Sequence, residues 1–157
     1  GAAHRVGPAP GGLPVAMRVL GLDVGDRRIG GAVSDSLGLT AQRVTVLERR
    51  GPSRDVEAVQ ALVERYGASA VVVGLPLTMR GERGVQAEKV SAFSEALRRS
   101  LAVPIELVDE RLTTVQGARA LRETGASRRT RKAVIDQVAA QLILQDFLDR
   151  QRPREHP

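Results

Sequence analysis

Apolar and polar positions divide the chain into short strand-length runs and longer helical stripes. Residues 18–24 form an apolar run that ends at Gly25, and 29–34 form a second one after the basic pair Arg27 and Arg28. Val44, Val46 and Leu47 mark a third, over 43–48. Three short runs with close connections predict an antiparallel meander. Val56, Val59, Leu62, Val63 and Tyr66 then recur at helical spacing, with Ser53 as the expected cap and Gly67 as the stop. "SAVVVGLP", residues 69–76, is apolar on both faces, as a central parallel strand is. The loop "LPLTMRGERG" follows. Val90, Phe93 and Leu97 predict a helix over 85–100, and "VPIELVDE" predicts a strand ending in two acids. Thr113 or Thr114 is positioned to cap a further helix that stops near Gly125. "ASRRTRK" reads as a basic loop or helix start before a last helix over 132–150. The order βββαβαβαα predicts an α/β fold with a mixed five-stranded sheet. Strands one to three run antiparallel, the last two run parallel to strand one, and helices cover both faces.

One feature of this pattern is chemically costly. Asp23 sits inside the first apolar run, and a buried carboxylate needs a compensating partner. Asp109 and Glu110 end a later strand, and Asp136 lies within the apolar last helix, "KAVIDQVAAQLIL". Parallel strands present their carboxyl ends on one edge, where open α/β sheets hold their sites. Asp23 and Glu110 can meet there although far apart in sequence. Asp136 joins them if the last helix crosses that edge, and Ala139 and Ala140 are small enough to let it come close. Clustered carboxylates repel one another unless a divalent cation lies between them. Two such ions about 3.5–4 Å apart activate water and stabilise the leaving oxygen of a phosphodiester. The plain alternative is that each acid is matched by an arginine. A strand aims only one of two adjacent acids into a site. Both faces of this strand are apolar, so counting faces leaves Asp109 and Glu110 both open.

Composition narrows the chemistry. At 157 residues the chain fits one domain, with 42% hydrophobic and 27% charged residues as in globular proteins. It has no cysteine, and its two histidines lie in the terminal segments, so a metal would have to sit on oxygen ligands, as Mg2+ or Mn2+ does. The formal charge is +6. That suits nucleic acid, although solubility alone accounts for it. Arginine outnumbers lysine 22 to 2, which a GC-rich coding sequence also explains. Tyr66, Phe93 and Phe147 are the only aromatics, too few for a base-stacking single-strand binder. No apolar run is long enough to span a membrane, and a cytoplasmic location is expected. The segment 1–16 reads as a disordered leader or appended extension, 17–150 as the folded domain and 151–157 as a disordered tail.

"GLDVGDRRIGGAVSD", "VVVGLPLTMRGERG", "VDERLTT" and "AVIDQVAAQLILQDFLD" resemble, in order, the four signature blocks of the YqgF/RuvX family, over about residues 17–149. The resemblance implies an RNase H-like fold related to RuvC-type Holliday-junction resolvases. It also implies a metal-dependent nuclease domain processing the precursor of 16S ribosomal RNA, associated with ribosomal particles. It places the acidic site, as catalytic residues and as ligands of Mg2+ or Mn2+, on Asp23, Glu110 and Asp136. Asp109 is left as an outer ligand or a structural partner, and Gly-Leu-Pro at 74–76 is expected to shape a loop near the site. Gly31 stands where a larger residue is commoner, a change expected to affect packing.

On the substrate side, Arg27, Arg28, Arg80, Arg83, Arg111, Arg128, Arg129, Arg131 and Lys132 are candidates to hold a phosphate backbone. Cations at a helix N-terminus are electrostatically unfavourable unless a polyanion offsets them. Three other readings compete. The "LDVGDRRIG" turn also resembles the phosphate loop of actin-like ATPases and sugar kinases, which need two such domains around a cleft. A non-catalytic RNA-binding assembly factor is the second. Cleavage of branched DNA is the third, and it would require a dimer to place two sites on two strands. The choice between monomer and homodimer is open in the sequence.

Overall fold

The computed structural model describes residues 18–78, 80–110 and 128–151, and the side chains of 128–137 lie outside that description. The expected leader, the helix expected to end near Gly125, and residues 152–157 of the expected tail also lie outside it.

Five strands, β1 (Val19–Val24), β2 (Arg28–Ser34), β3 (Ala41–Glu48), β4 (Ala70–Leu75) and β5 (Ile105–Asp109), form one sheet in the order β3-β2-β1-β4-β5. β1 pairs antiparallel with β2, and β2 with β3, whereas β4 is parallel to β1 and β5 to β4. This is the expected mixed sheet. β1 is central and buried at all six positions, which explains why it reads as a continuous apolar run. β3 is an edge strand and starts two residues earlier than its apolar positions suggest, because Ala41 pairs with Ser34.

Helices α1 (Pro52–Tyr66) and α2 (Val85–Ser100) cover one face, and α3 (Arg128–Gln151) covers the other. Under α1 and α2, Leu20, Leu22, Val71 and Val73 pack with Val59, Leu62, Val90, Phe93 and Leu97. Under α3, Val19, Val72 and Val108 pack with Ala139, Ala140, Ile143, Leu144 and Phe147. Among the described residues no helix is long and apolar enough to cross a membrane.

Two helix starts differ from the sequence expectation. α1 is capped by Gly51, not Ser53, with Pro52 in its first turn and no side-chain cap bond. Proline fixes the φ that a first helical residue needs, so the helix begins at the proline. A missing side-chain cap costs about 1 kcal/mol, less than the roughly 1.5–3 kcal/mol contributed by burying a residue such as Leu62. α3 starts at Arg128, four residues before the expected Lys132, so the basic run lies in its first turns.

Candidate active site

β1 carries its residues alternately to the two faces. Leu20, Leu22 and Val24 face α1 and α2, which leaves Val19, Gly21 and Asp23 facing α3. Asp23 is 2% exposed. Directly opposite it on β2 stands Gly30. On the other side, the parallel register Leu22 to Val73 carries Asp23 to the level of Gly74 on β4. The carboxylate therefore stands between two strands that present no side chain at its level.

Glu110 follows β5 and is also 2% exposed. Its side chain lies over Gly74: a Cβ on that glycine would sit 2.7 Å from Glu110 Oε1 and 3.1 Å from Glu110 Cγ. The same Cβ would meet Ile143 Cδ1 of α3 at 2.5 Å, so Glu110 is on the α3 face, the face of Asp23. Asp109 pairs with Leu75, which belongs to the core under α1 and α2, and so stands on the opposite face. That position suits a structural partner better than an outer ligand.

The last helix approaches as closely as its small residues suggested. A Cβ on Gly21 would lie 2.7 Å from Leu144 Cβ and 3.3 Å from the Ala140 carbonyl, and Ala139 and Ala140 are fully buried. Gln141 donates to the Ala41 carbonyl and Gln145 to the Leu39 carbonyl, so α3 runs antiparallel to β1 and β3. One helical turn back from Ala140 rises about 6 Å, and two strand residues from Gly21 to Asp23 rise about 6.6 Å. The backbone of Asp136 therefore reaches the level of Asp23. Its side chain lies outside the described residues, and among those described no group of three metal-ligating side chains occurs.

The turn after Asp23 is held by a residue absent from the sequence reading. Arg49 Nη1 donates to the Gly25 carbonyl at 2.6 Å, Nε donates to Asp55 Oδ2 at 2.8 Å, and the guanidinium lies 5.2 Å from the Phe93 ring centroid. Its amide donates to the Arg27 carbonyl. The Asp23 turn is thus tied to both α1 and α2. Burial would raise the Asp55 carboxyl, but the Arg49 hydrogen bond, the Arg50 amide and the Arg49 charge outweigh it and hold the group below its ordinary value. A signal was available: Asp55 falls on the apolar stripe of α1, one turn before Val59. A cavity of about 290 Å³ between Val24, Asp26, Arg49, Asp55 and Lys89 opens on this same face, away from the two site carboxylates.

The basic candidates divide. Arg27, Arg80 and Arg83 are exposed. Arg80 and Arg83 stand on a tight turn after Gly-Leu-Pro, where Thr78 Oγ1 accepts from the Glu82 amide and the Thr78 amide donates to the Glu82 carbonyl. Arg83 donates to Ser91 Oγ at 3.1 Å. Arg28 faces Glu48 at 3.5 Å, an ion pair across the edge strand. Arg111 and the side chains of Arg128, Arg129, Arg131 and Lys132 lie outside the described residues.

Comparison with known proteins agrees with this architecture. A family profile described as RuvX, Holliday junction resolvase, matches residues 17–150. A candidate pre-16S rRNA nuclease of Moorella thermoacetica is 52% identical over 134 residues, covering 85% of this chain and 96% of that protein. A protein of the same description from Halothermothrix orenii is 47% identical over 135 residues, covering 86% and 96%. Among solved structures, Thermus thermophilus RuvC in complex with a Holliday junction substrate superposes with a TM-score of 0.54 at 19% identity, covering 85% of this chain and 95% of that one.

Proposed function

The chain belongs to the RuvX family, and on that premise we propose that it is a metal-dependent nuclease that hydrolyses phosphodiester bonds in the precursor of 16S ribosomal RNA. One observation carries the chemistry. Asp23 and Glu110, brought from distant parts of the chain, are buried on one face and at one end of the sheet, with Gly74 beneath Glu110 and Gly30 beside Asp23. Two hard-oxygen donors on a glycine floor suit Mg2+ or Mn2+. Asp23, Glu110 and Asp136 would hold the ion.

A bound divalent cation supplies Lewis-acid stabilisation of the phosphoryl oxygens and an activated water. The protein's own part is positional. Asp23 and Glu110 keep their carboxylates fixed in a buried surround. The bare position at 74 lets the Glu110 side chain lie over β4, and Gly30 stands opposite Asp23 on β2. Arg27, Arg80 and Arg83, with the basic start of α3, attract and align the polyanion. An rRNA substrate places this work in the cytoplasm and on ribosomal particles.

Holliday-junction cleavage is the second reading, favoured by the description of the family profile itself. Purified protein with Mg2+ or Mn2+ should be given single-stranded RNA, duplex RNA and four-way DNA junctions. Cleavage of RNA in preference to the junction is expected. Preferential cleavage of the junction supports the second reading. Binding without cleavage of any of the three, in either metal, would leave an RNA-binding assembly factor.

A further inference from the structure

We propose that Gly74 is a positioning residue that sets how deeply the Glu110 carboxylate sits over the sheet, and through it the affinity of the site for a divalent cation. The inference rests on the nuclease reading above and adds a residue and a mechanism to it.

Gly74 lies within β4 and is paired on the β5 side with Val108. It is not among the positive-φ glycines of the described residues, so its lack of a side chain is not a conformational requirement. In such a strand position alanine is normally preferred, because glycine loses more chain entropy on folding. The space above it supplies the reason for glycine. An added Cβ would be 2.7 Å from Glu110 Oε1, closer than a real Cβ tolerates, and 3.1 Å from Glu110 Cγ, a tight contact. It would also be 2.5 Å from Ile143 Cδ1. The volume a methyl group would fill is therefore shared between a site carboxylate and the helix that carries Asp136. Both atoms closer than 3.0 Å are ends of flexible side chains, so a methyl group at 74 would be accommodated by moving the Glu110 carboxylate and Ile143 Cδ1 off β4.

The two contacts can be separated experimentally. Ile143→Val removes Cδ1 and with it the helix contact, leaving the contact with Glu110. Glu110→Asp shortens the other side chain and withdraws its carboxylate from Gly74. Mn2+ binding should be measured by titration calorimetry on Gly74→Ala, Ile143→Val, Glu110→Asp, Glu110→Gln and the doubles with Gly74→Ala, with melting temperature recorded for each. Gly74→Ala is expected to weaken Mn2+ about ten- to a hundred-fold, as residues supporting a metal ligand do. Adding Ile143→Val should restore melting temperature but not Mn2+ affinity. Gly74→Ala should cost nothing further in the Glu110→Asp background. Recovery of Mn2+ affinity by Ile143→Val would overturn the proposal and make Gly74 a core-packing residue. Additive losses in Gly74→Ala and Glu110→Asp would overturn it too. Parent-like Mn2+ affinity in Glu110→Gln would remove the metal-site reading itself, and the proposal with it.

Discussion

On the face covered by α1 and α2, the deeply buried carboxylate is Asp55, and it meets a cation: Arg49 Nε at 2.8 Å, with the Arg50 amide on its other oxygen at 2.8 Å. On the face covered by α3, Asp23 and Glu110 are buried as deeply, yet what the fold sets beside and beneath them is glycine, at 30 and 74. One face surrounds its acid with donors, as a folding contact requires. On the other, the neighbouring strands contribute glycine at the level of the acids, and Glu110 and Ile143 fill the space over Gly74. The starts of the helices differ in the same sense. α1 has Asp55 in its first turn, where a negative charge suits the helix dipole, and α3 has four cations and no acid in its opening turns. The two faces thus bury carboxylates at the same depth beside different neighbours, a guanidinium on one and glycines on the other.

The sharpest way to break this contrast is Asp23→Asn. Cleavage should fall about a thousand-fold, since several kcal/mol of metal stabilisation is lost at about 1.4 kcal/mol per tenfold. Nucleic-acid binding should persist, and the melting temperature of the metal-free protein should hold or rise as repulsion between clustered acids is relieved. A folded variant that cleaves like the parent in Mg2+ or Mn2+ would make Asp23 another structural acid.

Asp55→Asn should do the reverse. Loss of the charged partner of Arg49 should cost about 1–3 kcal/mol of stability, read from denaturant melts, with Mn2+ affinity unchanged. Because the Asp55 carboxyl titrates below its ordinary value of 3.8 in the folded protein, its contribution is complete above that value and is lost as pH falls through the folded one. The stability gap between parent and Asp55→Asn should therefore close below about pH 4. A gap that stays constant down to pH 2.5 would show that the charge of Asp55 does not stabilise the fold.

The smallest expected effect concerns the cations of α3. Replacing Arg128, Arg129 and Arg131 by alanine should weaken binding across sequences and flatten the dependence of log affinity on log salt by about two to three. An unchanged salt slope would return this segment to ordinary solvated surface.

The sequence carried the strands and helices because each face of the sheet is written as apolar runs. Asp23 was legible because a carboxylate inside such a run is conspicuous. The choice between Asp109 and Glu110 was not, because Val108 packs under α3 whereas Ile105 and Leu107 pack on the other side. Only the neighbouring strand, with Leu75 beside Asp109 and Gly74 under Glu110, separates them. Ser53 was chosen as a cap on residue type, but Pro52 had already fixed the start of the helix. The sequence places Gly74 only in a loop-shaping Gly-Leu-Pro and singles out nothing at Arg49, for a common reason. Their roles depend on partners that only the folded topology brings near, Glu110 for one and the Gly25 carbonyl for the other.

The strand order also governs when the acidic edge of the sheet can be completed as the chain is made. Asp23 lies on the central strand, whose first neighbour is supplied by an adjacent hairpin and whose second, β4, comes only after α1. Val19, Ala32, Val72 and Val108 remain bare until α3, the final described element, lies down on them. Pairings this remote in sequence form late and slowly. A nascent or truncated chain that stops before residue 128 therefore holds Asp23, Glu110 and all five strands, but not the helix that covers the α3 face of the sheet. The buried surround of Asp23 and Glu110 is thereby finished by the last of the described helices, long after the strands that carry the two acids have been made.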